Sequence, residues 1–289
     1  MNVEEYIVAR TNALLQTTDA CIVKRLEGGM SNYTYIVESQ GKKYTYRVPG
    51  KSAEHFVDRV DELHTIEQVE RLGFASTHSY MEVRTGEKLA EYVDGTILTD
   101  DDVETYNTLV AKRLHQIHES GMQLPLYDPF GRLNRYEGYC RDLGYVHPQN
   151  YIDLRQKLDS CRQQIPQVPL VPCHCDFQPS NIVISGTTVN VLDWEFAGMN
   201  DPIYDVACYG NVGFDSALSF LSAYVGHEPS RQEKQRLFFY RAFQCMQWYN
   251  VAIFKDRIGL SKDLNMDFCD VAEYFYNQAK DLLAGFDTI

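Results

Sequence analysis

In the run His174-Cys175-Asp176-Phe177-Gln178-Pro179-Ser180-Asn181 an amide follows an acid by five positions, and Asp193-Trp194-Glu195 begins twelve positions after that amide. The H-x-D-x-x-x-x-N spacing suits phosphoryl transfer: the aspartate accepts the proton of an attacking hydroxyl, and the asparagine holds Mg²⁺ against the transferring phosphate. A second acid must complete the metal clamp. Asp193 can do so, because Ile182-Val183-Ile184 reads as a strand, Ser185-Gly186-Thr187-Thr188 as a turn, and Val189, Val191 and Leu192 as a returning strand that ends beside Asn181. Taken alone, His174 and Asp176 fit a buried structural pair equally well. Three residue types in register at two spacings favour the chemistry. His174 is assigned a structural role, holding the loop by hydrogen bonds.

A nucleotide must be held opposite that loop, and the first third of the chain has elements for it. Residues 1–20 suggest an opening helix with Val3, Ile7, Val8, Leu14 and Leu15 loosely on one face. Ile22-Val23, the turn at Glu27-Gly28-Gly29, the strand Tyr33–Glu38, the turn Gln40-Gly41 and the strand Tyr44–Val48 predict an antiparallel meander. Gly28-Gly29-Met30-Ser31-Asn32 would be the turn over the phosphates, where absent side chains let backbone N–H groups approach an anion. A glycine pair in a hairpin is also commonly only a turn.

Its partners strengthen the reading. A helix is predicted over His55–Leu72, with Phe56, Val60, Leu63, Ile66 and Val69 on one face and Gly73 as its stop. Glu62 on that helix would pair with Arg47 on the preceding strand and fix the cation on the α- and β-phosphates. An arginine can do this work, being bidentate and permanently charged. The competing reading is an exposed strand base and an exposed helix acid. Glu91-Tyr92-Val93, after the strand-like Lys88–Ala90, sits where backbone groups would bind adenine.

Thr99-Asp100 is expected to cap a helix carrying Val103, Tyr106, Val110, Leu114 and Ile117, with His115 and His118 near its end as packing or capping residues. Beyond Asp193 the chain is rich in helical spacing and aromatics: Phe238, Phe239, Tyr240, Phe243, Trp248, Tyr249 and Phe254, then Tyr274, Phe275 and Tyr276. Aromatic runs at helical spacing usually form core. A minority can form a cage for a quaternary ammonium ion through cation–π attraction.

Composition narrows the classes. The net charge of −13 carries no basic tract, which argues against a nucleic-acid partner, since phosphate contacts supply most of that affinity. No apolar run approaches a spanning helix and the first residues lack the pattern of a signal peptide, so no membrane insertion and a cytoplasmic location are expected. The eight cysteines show no framework of regular pairs, as in a reduced compartment, and are expected to be small apolar fillers. Cys173-His174-Cys175 suggests a metal at first sight, but neighbours on a strand point to opposite faces, and zinc sites use wider cysteine spacings.

Together these residues resemble a bacterial member of the choline/ethanolamine kinase family, within the aminoglycoside-phosphotransferase group of kinase-like folds. The likeness runs through most of the chain: Leu26–Asn32 resembles the phosphate loop, Tyr46-Arg47-Val48-Pro49-Gly50 the arginine-bearing strand, Arg59–Glu62 the helix acid. Leu114-His115-Gln116-Ile117-His118, the catalytic loop and Leu192-Asp193-Trp194-Glu195-Phe196 complete the order. The resemblance implies an α+β, two-lobed protein-kinase-like fold with a small antiparallel β N-lobe (residues 1–93, covering the nucleotide) and a large, mainly helical C-lobe (residues 94–289, catalytic and substrate-binding).

It further implies transfer of the γ-phosphate of ATP to choline, giving phosphocholine and ADP with Mg²⁺. Asp176 would be the base, Asn181 and Asp193 the metal ligands, Glu195 a support for the metal or the substrate hydroxyl, and Asp205 the acid that buttresses the catalytic loop. The family often has a tyrosine after the D-x-E acid and two tryptophans three apart on a C-terminal helix. Here those positions are Phe196, Trp248 and Val251, so half of the tryptophan pair is missing; Tyr204 and Tyr249 are candidates to rebuild the cage. Ethanolamine, an aminoglycoside or another small hydroxyl substrate stays open as acceptor. A catalytically silent nucleotide-binding regulator is disfavoured, because Asp176, Asn181 and Asp193 are all present.

Overall fold

A computed structural model describes residues 2–26, 32–75, 77–264 and 266–289. The elements run α1 (Val3–Leu15), β1 (Cys21–Leu26), β2 (Asn32–Ser39), β3 (Lys42–Pro49), α2 (Arg59–Arg71), β4 (His78–Met81), β5 (Lys88–Glu91) and β6 (Thr96–Ile97). They continue with α3 (Val103–His118), α4 (Pro129–Asp142), α5 (Gln149–Arg162), β7 (Val171–Cys173), β8 (Ile182–Ser185), β9 (Thr188–Val191) and β10 (Gly198–Asn200). Five helices end the chain: α6 (Pro202–Tyr209), α7 (Phe214–Val225), α8 (Arg231–Arg257), α9 (Leu260–Asp263) and α10 (Phe268–Phe286). Two compact units result, one of Met1–Leu98, Met122–Pro125 and Ser180–Ala197, the other of Thr99–Gly121, Leu126–Pro179 and Gly198–Ile289.

In the first unit an antiparallel sheet has the order β1-β2-β3-β5-β4. Side chains alternate across a strand, so register decides which face each residue takes. Tyr35 lies opposite Tyr46 and Val37 opposite Tyr44, and these four join Leu89 and Ile7 of α1 in one buried cluster. Arg47, next to Tyr46, must therefore take the other face. Lys88 lies directly opposite it on β5.

Two helices of this unit differ from expectation. Helix α1 starts with a capping box in which Asn2 and Glu5 bond each other's backbone N–H, and it buries Ile7 and Thr11 while Val3 stays exposed. Helix α2 begins at Arg59, not His55, because the Asp58 carboxylate caps the N–H groups of Val60 and Asp61 and a separate 3-10 turn covers Ala53–His55. Its buried face is polar at the start, with Arg59 and Glu62 preceding Ile66 and Val69, and Val60 is exposed. The predicted hairpin forms as β8 and β9, but with a tighter turn than expected: Ser185 pairs with Thr188 around Gly186-Thr187, Gly186 having φ +63°. Strand β6 adds a third member to it.

The second unit is built on α8, whose 27 residues are buried over most of their length, and α10 packs along it. Phe239, Phe243 and Phe254 are buried, as the aromatic spacing predicts for core, and Phe268 and Phe286 of α10 join them in the interior. Helix α3 starts at Val103 rather than from a Thr99-Asp100 cap: the Thr99 carbonyl accepts from the N–H groups of Asp102 and Val103, which makes Thr99 the start of the preceding turn. All the cysteines except exposed Cys21 and Cys269 are buried, so those two are not apolar fillers. Among the described residues no helix is long and apolar enough to cross a membrane.

Candidate active site

Two like charges facing each other on neighbouring strands repel, and Arg47 and Lys88 do so in the interior of the first unit. Glu62 resolves the conflict. One of its oxygens, Oε1, takes the Arg47 Nη2 donor at 2.7 Å and Lys88 Nζ at 2.6 Å, and Oε2 takes Arg59 Nη1 at 2.6 Å. Burial pushes the Glu62 carboxyl up, but Lys88 and Arg47 outweigh it and hold the group at about 2. Close approach of Arg59 depends on Gly86, which has φ +78° and where a Cβ would lie 2.5 Å from Arg59 Nε.

The same cations reach the D-x-E acids. Arg47 Nη1 donates to Asp193 Oδ1 at 2.8 Å and to Glu195 Oε2 at 2.9 Å, and Arg59 Nη1 donates to Glu195 Oε2 at 3.1 Å. Burial opposes the charge on Arg47, yet Glu195, Asp193 and Glu62 hold the guanidinium above its usual range. Glu195 shifts the opposite way to Glu62 despite sharing those cations: burial and the Asp193 charge push it up, and the arginines meet only one of its oxygens.

Backbone geometry aims the pair. Asp193 has φ +62°, a left-handed conformation unusual for a side-chain-bearing residue, and Glu195 follows on a 3-10 turn, Trp194–Phe196, pinned by the Trp194 indole N–H to the Val191 carbonyl at 2.9 Å. The Leu192 N–H donates to the Asn181 carbonyl at 2.8 Å, so the hairpin returns Asp193 beside Asn181. Oxygen atoms of Glu62, Asp193 and Glu195 lie within 4.8 Å of one another. Carboxylate and amide oxygens suit a hard cation such as Mg²⁺. Glu62 is already saturated with cations, whereas the Asp193 side chain is 36% exposed, so Asp193 is the member best able to accept a metal.

In the second unit Asp176 follows Cys175, which also adopts a left-handed conformation at φ +60°. The fully buried Asp205 carboxylate accepts the N–H of His174 at 2.8 Å and of Cys175 at 2.7 Å, and the His118 ring at 3.0 Å. His118 Nδ1 meets the Tyr224 hydroxyl at 2.8 Å. His118, Cys173 and Asp205 thus cluster, but both ring nitrogens are engaged, and burial with the Asp205 charge pushes the Cys173 thiol up and away from the thiolate a metal needs. His174 is buried, its Nδ1 accepting the Asp176 N–H at 3.2 Å.

Other expected residues fall as follows. Gly28, Gly29 and Ser31 lie outside the described residues. Asn32 opens β2, its buried Oδ1 without a partner among the described residues. The N–H groups of Glu91 and Tyr92 donate to the carbonyls of Thr77 and Lys43, with Val93 just beyond.

The aromatic candidates keep separate company. Tyr204 is buried, its hydroxyl 3.0 Å from that of Tyr127 and donating to Gln247 Oε1 at 2.8 Å. Trp248 stacks on Phe275, while Tyr249 turns to another face of α8, against Tyr151, with its hydroxyl 2.6 Å from that of Tyr145. Val251 is buried, and Phe196 belongs to the first unit. Arg59 and Lys88 are not among the site residues expected from sequence. Lys88 had a usable signal, a lysine alternating with buried Leu89 on a short strand; Arg59 had only its one-turn spacing from Glu62.

Comparison with known proteins decides the family. The model of the phosphotransferase enzyme family matches residues 22–237, most of the chain. The chain belongs to the phosphotransferase enzyme family. Among curated relatives of this phosphotransferase, LicA of Haemophilus influenzae is 25% identical over 62% of this chain and 55% of its own, and a probable choline kinase 3 of Arabidopsis thaliana is 27% identical over 74% and 66%. The chain thus spans about half to two thirds of these relatives. A solved structure of the choline kinase LicA from Streptococcus pneumoniae superposes with TM-score 0.81 at 25% identity, covering 98% of this chain and 99% of the other. An aminoglycoside 2'-phosphotransferase superposes at 0.69 with 13% identity over 97% and 99%, a likeness of fold. The kinase-like α+β fold expected from the sequence is therefore the fold of this chain.

Proposed function

We propose that this phosphotransferase moves the γ-phosphoryl group of ATP to the hydroxyl of choline, producing phosphocholine and ADP. The observation that carries the reading is the convergence of Arg47 on Glu62, Asp193 and Glu195 together with the return of the hairpin to Asn181. Residues 1–93 would cover the nucleotide, with Gly28, Gly29, Ser31 and Asn32 over the phosphates, Arg47 steadied on them by Glu62, and Glu91 and Val93 along the base. Residues 94–289 would hold the acceptor. Asp176 takes the hydroxyl proton as the acceptor oxygen bonds to the γ-phosphorus and the bond to the β–γ bridging oxygen breaks, ADP carrying the released charge. Asn181 and Asp193, supported by Glu195, would hold Mg²⁺, which neutralises phosphate charge when bound.

Asp205 serves the base indirectly, by fixing the backbone of His174 and Cys175 on which Asp176 depends. For the acceptor, choline is supported by the names of the relatives; Trp248, Tyr249 and Tyr204, which pack in separate clusters, and Phe196, which follows the D-x-E acid, are its candidate contacts. A cytoplasmic location belongs to the same reading, supported by the scattered spacing of the cysteines.

ADP release from Mg-ATP should be measured with choline, ethanolamine and a panel of aminoglycosides, with Asp176→Ala as the blank. Stimulation by choline that the variant lacks is the expected result. Stimulation by another acceptor alone would reassign the pocket, and full turnover by Asp176→Ala would overturn the assigned base.

A further inference from the structure

Arg241 of α8 is 4% exposed and has no carboxylate partner within ion-pair distance among the described residues. Its guanidinium is held by amides: Nη1 donates to Gln244 Oε1 at 3.3 Å and Nη2 to Asn211 Oδ1 at 3.1 Å. A buried cation held only by neutral groups is costly, so a negative group is expected where its hydrogen bonds lead. They lead to the catalytic loop. Asn211 Nδ2 donates to Gln178 Oε1 at 2.6 Å, and Gln178 Nε2 donates to Asp176 Oδ2 at 3.1 Å.

The ends of this chain fix its sense. An arginine can only donate and a carboxylate can only accept, so both amides between them must present oxygen toward Arg241 and NH₂ toward Asp176. Neither amide can flip without setting donor against donor or oxygen against oxygen. We infer that Arg241, Asn211 and Gln178 form a polarised relay of positioning residues, which ties the carboxylate of Asp176 to a buried cation and fixes its plane for proton acceptance. The inference rests on Asp176 being the base.

Anchoring is local. The Asn211 N–H donates to the Cys208 carbonyl at 3.0 Å at the end of α6, and Gln244 Nε2 donates to the Tyr204 carbonyl at 2.9 Å on the same helix. Helices α6 and α8 therefore set the distance between Arg241 and Asn211. The Gln178 N–H bonds the Asp176 carbonyl at 2.8 Å, which holds the last amide beside the carboxylate it serves.

Polarity separates this role from packing. Asn211→Asp is isosteric and gains an ion pair with Arg241, but it can no longer donate. Gln178 must then turn its NH₂ toward the new carboxylate and its oxygen toward Asp176. Asn211→Ala only breaks the relay. The expected order in kcat is wild type, then Asn211→Ala lower by ~10-fold, then Asn211→Asp lower by ~100-fold, with KM for Mg-ATP and acceptor within about twofold throughout. Gln178→Glu, on the half-exposed loop, should behave like Asn211→Asp and guards against a folding defect at 211. Asn211→Asp as active as Asn211→Ala or more so, or losses divided equally between kcat and KM, would overturn the relay. Asp176→Ala run alongside distinguishes the failures: if it keeps full turnover, the base itself is misassigned, whereas an inactive Asp176→Ala beside a normal Asn211→Asp removes only the relay.

Discussion

Replacing Asp205 with asparagine should damage the catalytic loop out of proportion to its size. The carboxylate is fully buried and accepts three hydrogen bonds, with the His174 N–H and the His118 ring on Oδ2 and the Cys175 N–H on Oδ1. Asparagine keeps one acceptor and turns the other into a donor. Either orientation of the amide then sets its NH₂ against a backbone N–H, and histidine can change tautomer to adapt but a peptide cannot. One orphaned N–H costs about 1–3 kcal/mol, and the two remaining bonds lose about 1 kcal/mol each in charge assistance. The sum, ~3–5 kcal/mol, corresponds to a fall in apparent Tm on the order of 10 °C.

Activity should fall further. Cys175 is held at φ +60°, a conformation that costs a residue with a side chain roughly 1–2 kcal/mol, and its N–H bond to Asp205 is part of what keeps it there. Released, the peptide relaxes toward the right-handed region and carries Asp176 with it, and a displacement of about 1 Å at a reacting group lowers kcat ~100-fold. Thermal unfolding and ADP release on the same preparation check both parts. An Asp205→Asn variant within ~0.5 kcal/mol of wild type in stability would refute the hydrogen-bond reasoning. A large loss of stability with unchanged kcat would refute the link from Cys175 to Asp176.

Three further outcomes follow from the buried charges and the aromatic helices. Glu62→Gln removes the buried carboxylate that Arg47, Arg59 and Lys88 share, leaves Asp193 and Glu195 to face all three cations, and should cost about 3 kcal/mol in denaturant unfolding, the lower end for a broken buried ion pair. Gly86→Ala adds a Cβ that would meet Arg59 at 2.5 Å at a left-handed φ, so it should destabilise by ~1–2 kcal/mol or more and raise KM for Mg-ATP with little change in KM for the acceptor. Trp248→Ala should raise KM for choline and spare that for Mg-ATP; equal losses in both would assign the indole to packing against Phe275.

How far the sequence discloses the site depends on the range of the interaction. The hairpin from Ile182 to Val191 and the strand pair carrying Tyr35 and Tyr46 are legible because period-two alternation and turn residues are local signals. The link of Arg47 to Glu62 is legible through spacing and charge type. What is not legible is stoichiometry: Arg59 and Lys88 join the same carboxylate from another turn and another strand, and only the register of β3 on β5 brings Lys88 opposite Arg47. The beginning of α2 escapes for a different reason, since the side chain of Asp58 outcompetes the apolar periodicity that continues upstream of it. His118 and Asp205, 87 positions apart, meet through tertiary packing alone.

Two residues of the candidate site, Cys175 and Asp193, carry side chains into left-handed conformations. Glycine would take either position without strain, yet neither position has it. At 193 the side chain is a carboxylate that the backbone aims at Arg47, and the Arg47 ion pair and the Trp194 anchor compensate. At 175 the side chain is a small buried thiol, bonded to the Gly198 carbonyl and to Asn200, so its retention serves packing while its backbone turns Asp176 outward. In both places the strain is offset by charged or aromatic neighbours in the same compact unit. At both positions the strain sits where the backbone sets the direction of a loop.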